Sequence, residues 1–318
     1  MFLARPAMHI PDGFLSLVVS LLLWAVSIVV VAYALRRVGR DLNERQVPLM
    51  GVLAAAIFAG QMLNFTVAGG TSGHLMGAAI ATILLGPWAA IVVMTCVVSI
   101  QALIFQDGGL IVLGANIFNM GIVGVAVSYM AYTAIMRVAR GARWGIFTGG
   151  FSAAWLSVFV ASLAVALELA ISGISPANIA IPAMAAVHAL IGIGEGLITV
   201  GALGFVYAAR PDLLVAGTAK TTDSRAIWIG GLSIALILAV LSPLASSNPD
   251  GLERVAEDQG FLAAAQAPQY NLIPDYLVPG VSNEALATIV AGVIGALLVG
   301  AVAFLIARAR RSRTAATS

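Results

Sequence analysis

Leu84-Leu85-Gly86-Pro87-Trp88-Ala89-Ala90 decides how this chain is threaded. It sits inside an apolar stretch, Gly77 to Phe105, that looks at first like one long helix. A single helix there would put Arg137, Arg140 and Arg143 on the face opposite to the other basic clusters. Pro87 lacks an amide donor and Gly86 is a poor helix former, so a break is expected between them. Leu75 to Leu85 then becomes a short limb of about 16 Å at 1.5 Å per residue, and Trp88 to Phe105 returns. A limb that short must be packed inside a bundle, with its ends on polar loops that line a site.

Working outward, the composition agrees with a membrane protein. The chain is 61% hydrophobic and 9% charged, which excludes an ordinary soluble globule. A net charge of +2 gives no ground for a nucleic-acid partner. The single cysteine, Cys96, lies in an apolar run, so neither a disulfide framework nor a cysteine metal site is expected. Phe14 to Leu35 is long enough to cross a bilayer and ends in a cluster holding Arg36, Arg37, Arg40 and Arg45. Basic clusters mark the cytoplasmic side, which puts the N-terminus outside. Pro48 to Ala68 returns and places Gly69 to His74 outside, level with His9. Leu110 to Met136, Gly145 to Ile171, Pro182 to Tyr207, Ile227 to Pro243 and Ala285 to Ala307 complete nine crossings. Fourteen of the sixteen basic residues then face the cytoplasm, Arg5 and Arg254 excepted, and the C-terminus is cytoplasmic.

The expected fold is therefore an all-α membrane protein in a cell inner or plasma membrane. Residues 1–210 form a seven-helix bundle and 211–225 a polar cytoplasmic linker. Residues 226–318 form a second module, two transmembrane helices flanking an extracytoplasmic loop. Met1 to Ala7 has no apolar core of a signal peptide, so it reads as a short extension or as sequence ahead of a start at Met8.

Two of the three histidines lie just beyond long apolar segments, in Met8-His9-Ile10-Pro11-Asp12-Gly13-Phe14 and Thr71-Ser72-Gly73-His74. If Met8 is the first residue, its amine, the amide nitrogen of His9 and His9 Nδ1 close two fused chelate rings. An imidazole from His74 completes a square of nitrogens, a geometry that suits Ni(II) and Cu(II). The plainer alternative is a pair of interfacial histidines that hold no metal. Asn116 and Asn119 share a helix face and read either as braces for the histidine loops or as interhelical hydrogen bonds. His188 and Glu195 stand two turns apart on one helix face, a functional pair or a buried contact between helices. Asp12 with Gly13 shapes the turn into the first helix.

These stretches resemble the CbiM/NikM family, substrate-binding membrane components of energy-coupling factor transporters for cobalt and nickel. Met8 to Phe14, Ser72-Gly73-His74-Leu75 and Leu84 to Ala90 carry the resemblance. So do Gln101-Ala102-Leu103, Asp107-Gly108-Gly109-Leu110, Gly114 to Gly121 and His188 to Glu195. Residues 226–310 resemble the small CbiN/NikN component, with Pro249-Asp250-Gly251-Leu252-Glu253 as its signature.

The resemblance implies a metal held in a square plane by Met8, His9 and His74; Asp12, Ser72, Asn116 and Asn119 are the candidates to surround it. It implies transported Ni2+ or Co2+ and no tightly bound cofactor. It also implies separate partners, a transmembrane coupling protein (CbiQ/NikQ-like) and ATPase subunits (CbiO/NikO-like), since this chain has no phosphate-binding glycine loop with its lysine. An amine at Met8 requires a start or processing there, because a peptide bond to Ala7 would consume it. A metal channel independent of ATP is the nearest rival, and a tight chelate opposes it because conduction needs weak sites. An intramembrane enzyme would need catalytic groups paired at one depth, which three scattered histidines do not supply.

Overall fold

A computed structural model describes residues 8–42, 46–214, 224–268, 270 and 272–315. The extension ahead of Met8 and most of the expected linker lie outside these residues. Helix α1 (Leu17–Asp41) starts behind Ser16, whose hydroxyl accepts from the Val19 amide. It is followed by α2 (Gln46–Gln61), a hairpin of β1 (Phe65–Val67) and β2 (Thr71–Gly73), and the short α3 (Ala78–Leu85). Gly86, at φ 81°, then breaks the chain, and Pro87 opens α4 (Pro87–Ile100) in the first helical position, where a missing donor costs nothing. The expected break is where the sequence placed it.

Helix α4 passes into a π-helical turn, Gln101–Phe105. After a loop come α5 (Leu113–Asn116), a second π-helical stretch (Ile117–Val123) and α6 (Gly124–Ala139). Long α7 (Arg143–Ile171) and α8 (Ala177–Ala209) pack side by side. The C-terminal part contains α9 (Ser224–Leu241), the short α10 (Gly251–Asp258) and α11 (Glu284–Ala315). Among the described residues, seven helical stretches are long and apolar enough to cross a membrane; α2 and α3 are shorter.

Two boundaries differ from expectation. The second apolar segment ends as helix at Gln61, not Ala68, and the chain turns into the hairpin, where Ser72 pairs with Thr66. Pro182 does not open its helix: α8 starts at Ala177 and runs through Pro182, which forfeits one bond close to the first turn.

The N- and C-terminal parts share one core. Nearly all of α2 is buried, because α9 and α11 cover it. Ile227, Ala235, Ala291, Val299 and Ala303 belong to the same buried cluster as Met50, Ile57, Phe58 and Val93. A second cluster joins Ile10, Phe14 and Leu15 to Val165, Leu169 and Met184, and to Leu252 and Val255 of α10.

Candidate metal site

His9 and His74 come together from segments 65 positions apart in sequence. Their ring centroids are 5.5 Å apart, edge to face at 70°. His9 is buried and His74 half-buried, and both line a cavity of about 110 Å³ with Met8, Asn116, His188 and Asp250. Ile10 fixes the first segment: Asn116 accepts from its amide through Oδ1 at 3.1 Å and donates to its carbonyl through Nδ2 at 3.1 Å. Asp12 anchors the same segment by accepting from the amides of Leu110, Ile111 and Val112 at 2.9–3.2 Å.

Both His9 nitrogens that the chelate requires face one point. The backbone amide donates to Asp107 Oδ1 at 3.3 Å, and Nδ1 lies 3.0 Å from that same oxygen. The Tyr276 hydroxyl donates to Asp107 Oδ2 at 2.6 Å. Burial disfavours a charge on His9, but Asp107 outweighs it and holds the imidazole above its ordinary range. Burial likewise favours the neutral acid at Asp107, and the His9 and Tyr276 contacts outweigh it, holding the carboxyl below its ordinary range. Gly108 follows at φ 96°; a Cβ there would press on Asn116 Nδ2 and His9 Cβ, so this turn admits no side chain beside Asp107.

His74 is fixed differently. Nδ1 lies 3.1 Å from the Leu75 carbonyl. A carbonyl only accepts, so Nδ1 carries the proton and the lone pair is at Nε2. Burial, with His9 beside it, holds this ring below its ordinary range. The loop after it is held by Glu195 of α8, whose two carboxyl oxygens accept from Met76 N at 2.8 Å and Gly77 N at 3.0 Å.

Ser72 is fully buried; its amide donates to the Pro249 carbonyl at 2.8 Å and its hydroxyl to the Asn248 carbonyl at 2.8 Å. The C-terminal loop therefore covers the histidine hairpin. Asp250 enters the cavity from that loop, its carboxyl pushed up to about 7 by burial although the Glu253 amide bonds it.

The other expected residues separate. Asn119 lines the cavity, but its amide donates to Glu168 Oε2 at 2.8 Å and not to the histidine loops. His188 and Glu195 do not pair: His188 Nδ1 turns to the Met184 carbonyl at 2.9 Å and its ring lines the cavity beside Gly251, while Glu195 caps the loop before α3. Sequence reading missed Asp107, Asp250 and Tyr276 as site residues. For Asp107 the available signal was a carboxylate followed by two glycines at a membrane edge level with His9; for Tyr276 there was none.

Among the described residues no group of three or more His, Cys, Asp or Glu side chains could hold a metal. A donor set here needs backbone nitrogens as well as the two imidazoles.

The apolar helical bundle thus encloses a cavity lined by three imidazoles, those of His9, His74 and His188. The family described as "Cobalt uptake substrate-specific transmembrane region" (CbiM) matches residues 9–213, and the PDGLE domain matches 225–312. A putative fused nickel transport protein NikMN of Archaeoglobus fulgidus is 37% identical over 311 residues, 96% of this chain and 100% of that one. The fused nickel transport protein NikMN of Rhodobacter capsulatus is 30% identical, covering 92% of this chain and 95% of that one. A crystal structure of a truncated transition metal transporter aligns with a TM-score of 0.57 at 31% identity, over 63% of this chain and 99% of that one. The chain belongs to the CbiM family, as a transmembrane nickel or cobalt transport component that also carries a PDGLE domain.

Proposed function

We propose that this chain captures Ni2+ or Co2+ outside the cell for an ATP-driven energy-coupling factor importer. In a chain that starts or is processed at Met8, the donors are the Met8 amine, the His9 amide nitrogen, His9 Nδ1 and His74 Nε2. Two nitrogens of His9 converging on one point, with the His74 ring at 5.5 Å, is the observation that carries this reading. A fused chelate needs its neighbouring donors to face one centre. Asp107 Oδ1 now takes that place and moves aside as the ion displaces the two protons. Planar nitrogen ligation suits Ni(II), and both full-length relatives above are named for nickel, which favours nickel over cobalt.

Energy comes from other polypeptides, a membrane coupling protein and ATPase subunits, whose turnover reorients the bundle and releases the ion inside. No tightly bound cofactor takes part. The chain sits in the plasma or inner membrane with nine crossings, α2 and α3 counted among them. A seven-helix unit (1–210) is joined by a cytoplasmic linker (211–225) to the PDGLE unit (226–318).

The test is calorimetric titration of Ni2+ and Co2+ into a form beginning at Met8, with its amine free or acetylated. Acetylation removes the nitrogen lone pair and is expected to abolish binding. Equal binding by both forms would remove the amine from the donor set.

Orientation has its own expected result. Ser72 is covered by the PDGLE loop, so the exposed Ala68 at the hairpin tip is the better reporter. Ala68→Cys reacts with an impermeant thiol reagent added outside, and Ala142→Cys, between α6 and α7, does not. Labelling of Ala142→Cys from outside would invert the topology.

A further inference from the structure

Tyr276, in the segment between α10 and α11, bonds the carboxylate that faces His9. It lies in a loop, yet it is buried, with its ring stacked on Phe105 at 4.9 Å and 15° and packed near Phe58 at 6.0 Å. Asp275 and Tyr276 both have positive φ, 52° and 57°, which is uncommon for residues other than glycine. Such a backbone persists only where surrounding contacts hold it, and it collects at functional positions. Its hydroxyl donates to Asp107 Oδ2 at 2.6 Å, while the other oxygen of that carboxyl faces both His9 nitrogens. The π-helical turn Gln101–Phe105, closed by Gln106 at φ 56°, sets Phe105 under the tyrosine ring and Asp107 beyond its hydroxyl. A π-turn of this kind re-aims side chains and is frequent at functional sites.

We propose that Tyr276 is a positioning residue of the metal site, through which the PDGLE domain sets His9 by way of Asp107. The inference rests on His9 being a metal donor. Tyr276 touches no metal donor itself. It fixes the Asp107 carboxyl at one oxygen, so that the other stays at the point where the His9 amide and Nδ1 converge, the place an ion must take. Undocking the segment that carries Tyr276 would release Asp107 and open that point, which gives the PDGLE domain a direct means of acting on ion capture.

The experiment uses the chain from Met8 to Ser318 in detergent, with the Met8 amine free and Ni2+ as the probe. Tyr276→Phe keeps the ring stack and removes only the hydroxyl. With Asp107 released from the ion's place, it is expected to tighten Ni2+ binding roughly tenfold. The thermal midpoint without metal falls, because a buried carboxylate oxygen loses its donor; a merely destabilised site would bind the ion less tightly, not more. Asp107→Asn also tightens binding, and Tyr276→Phe added to it has little further effect, because the tyrosine acts through that carboxyl. Unchanged or weaker Ni2+ affinity for Tyr276→Phe, or an effect that adds in full to that of Asp107→Asn, would overturn the proposal. His9→Ala in the same titration separates the two readings. Lost binding there with a silent Tyr276→Phe sinks only the tyrosine's role, whereas retained binding in His9→Ala sinks both.

Discussion

Metal uptake is expected to vanish when either His9 or His74 is replaced by alanine. It is also expected to fall nearly to zero when one residue is inserted between Met8 and His9, although the insertion deletes no side chain. Each alanine variant removes one imidazole from a four-nitrogen set, and among the described residues no group of three or more acidic, thiol or imidazole side chains is placed to hold the ion in its stead. The insertion spares both imidazoles. It changes the number of atoms between the amine and the His9 amide, so the fused rings no longer close on one centre. A pair of interfacial histidines that binds no metal would tolerate the insertion. Radioactive Ni2+ uptake by cells carrying each variant, with membrane levels matched, is the measurement. Wild-type uptake by the insertion variant would refute the chelate while leaving a simple two-histidine site open.

Glu195→Ala has the second large expected effect. Glu195 is fully buried in α8 and accepts from two backbone amides at the entrance to α3, two and three residues after His74. Alanine leaves both donors buried without their acceptor, at a cost of about 3 kcal/mol in total. Glutamine is no substitute, since its NH2 would turn a donor toward a donor. Both variants should lower the thermal midpoint and weaken Ni2+ binding together, because the loop that positions His74 is loosened. Unchanged melting and affinity in Glu195→Ala would show that α8 does not hold that loop.

Much of this architecture is legible in the chain because its causes are local. Gly86 and Pro87 break the long apolar run by their own covalent geometry, so the short α3 was predictable. His9 and His74 could be placed together because each lies just outside an apolar segment, on the same side of the membrane. The hairpin was not legible, since its strands are three residues each and Ser72 is held from outside the hairpin by Asn248 and Pro249. Pro182 misled because proline is tolerated near a helix start as well as at it. Asp107 and Tyr276 escaped for a plainer reason. Their contacts cross 98 and 169 positions of sequence, and no periodicity encodes a bond at such separation. The two π-helical stretches likewise leave no compositional trace, although they flank the Asp107 turn.

His188 lies eleven residues beyond Ala177, the first residue of α8, and yet lines the same cavity as His9 and His74. At 1.5 Å per residue that is about 16 Å along the helix. The cavity can lie this deep because α2 and α3 are short and protein, rather than lipid, surrounds them. With the orientation proposed above, and with the first residue of α8 at the outer membrane surface, an ion bound there would already have moved through part of the transmembrane electric field before any ATP is spent. A negative-inside potential of 100 mV acts on each full charge carried across with about 2.3 kcal/mol. A share of that work is then done at capture, so affinity for a doubly charged ion should depend on voltage, tightening as the membrane hyperpolarises.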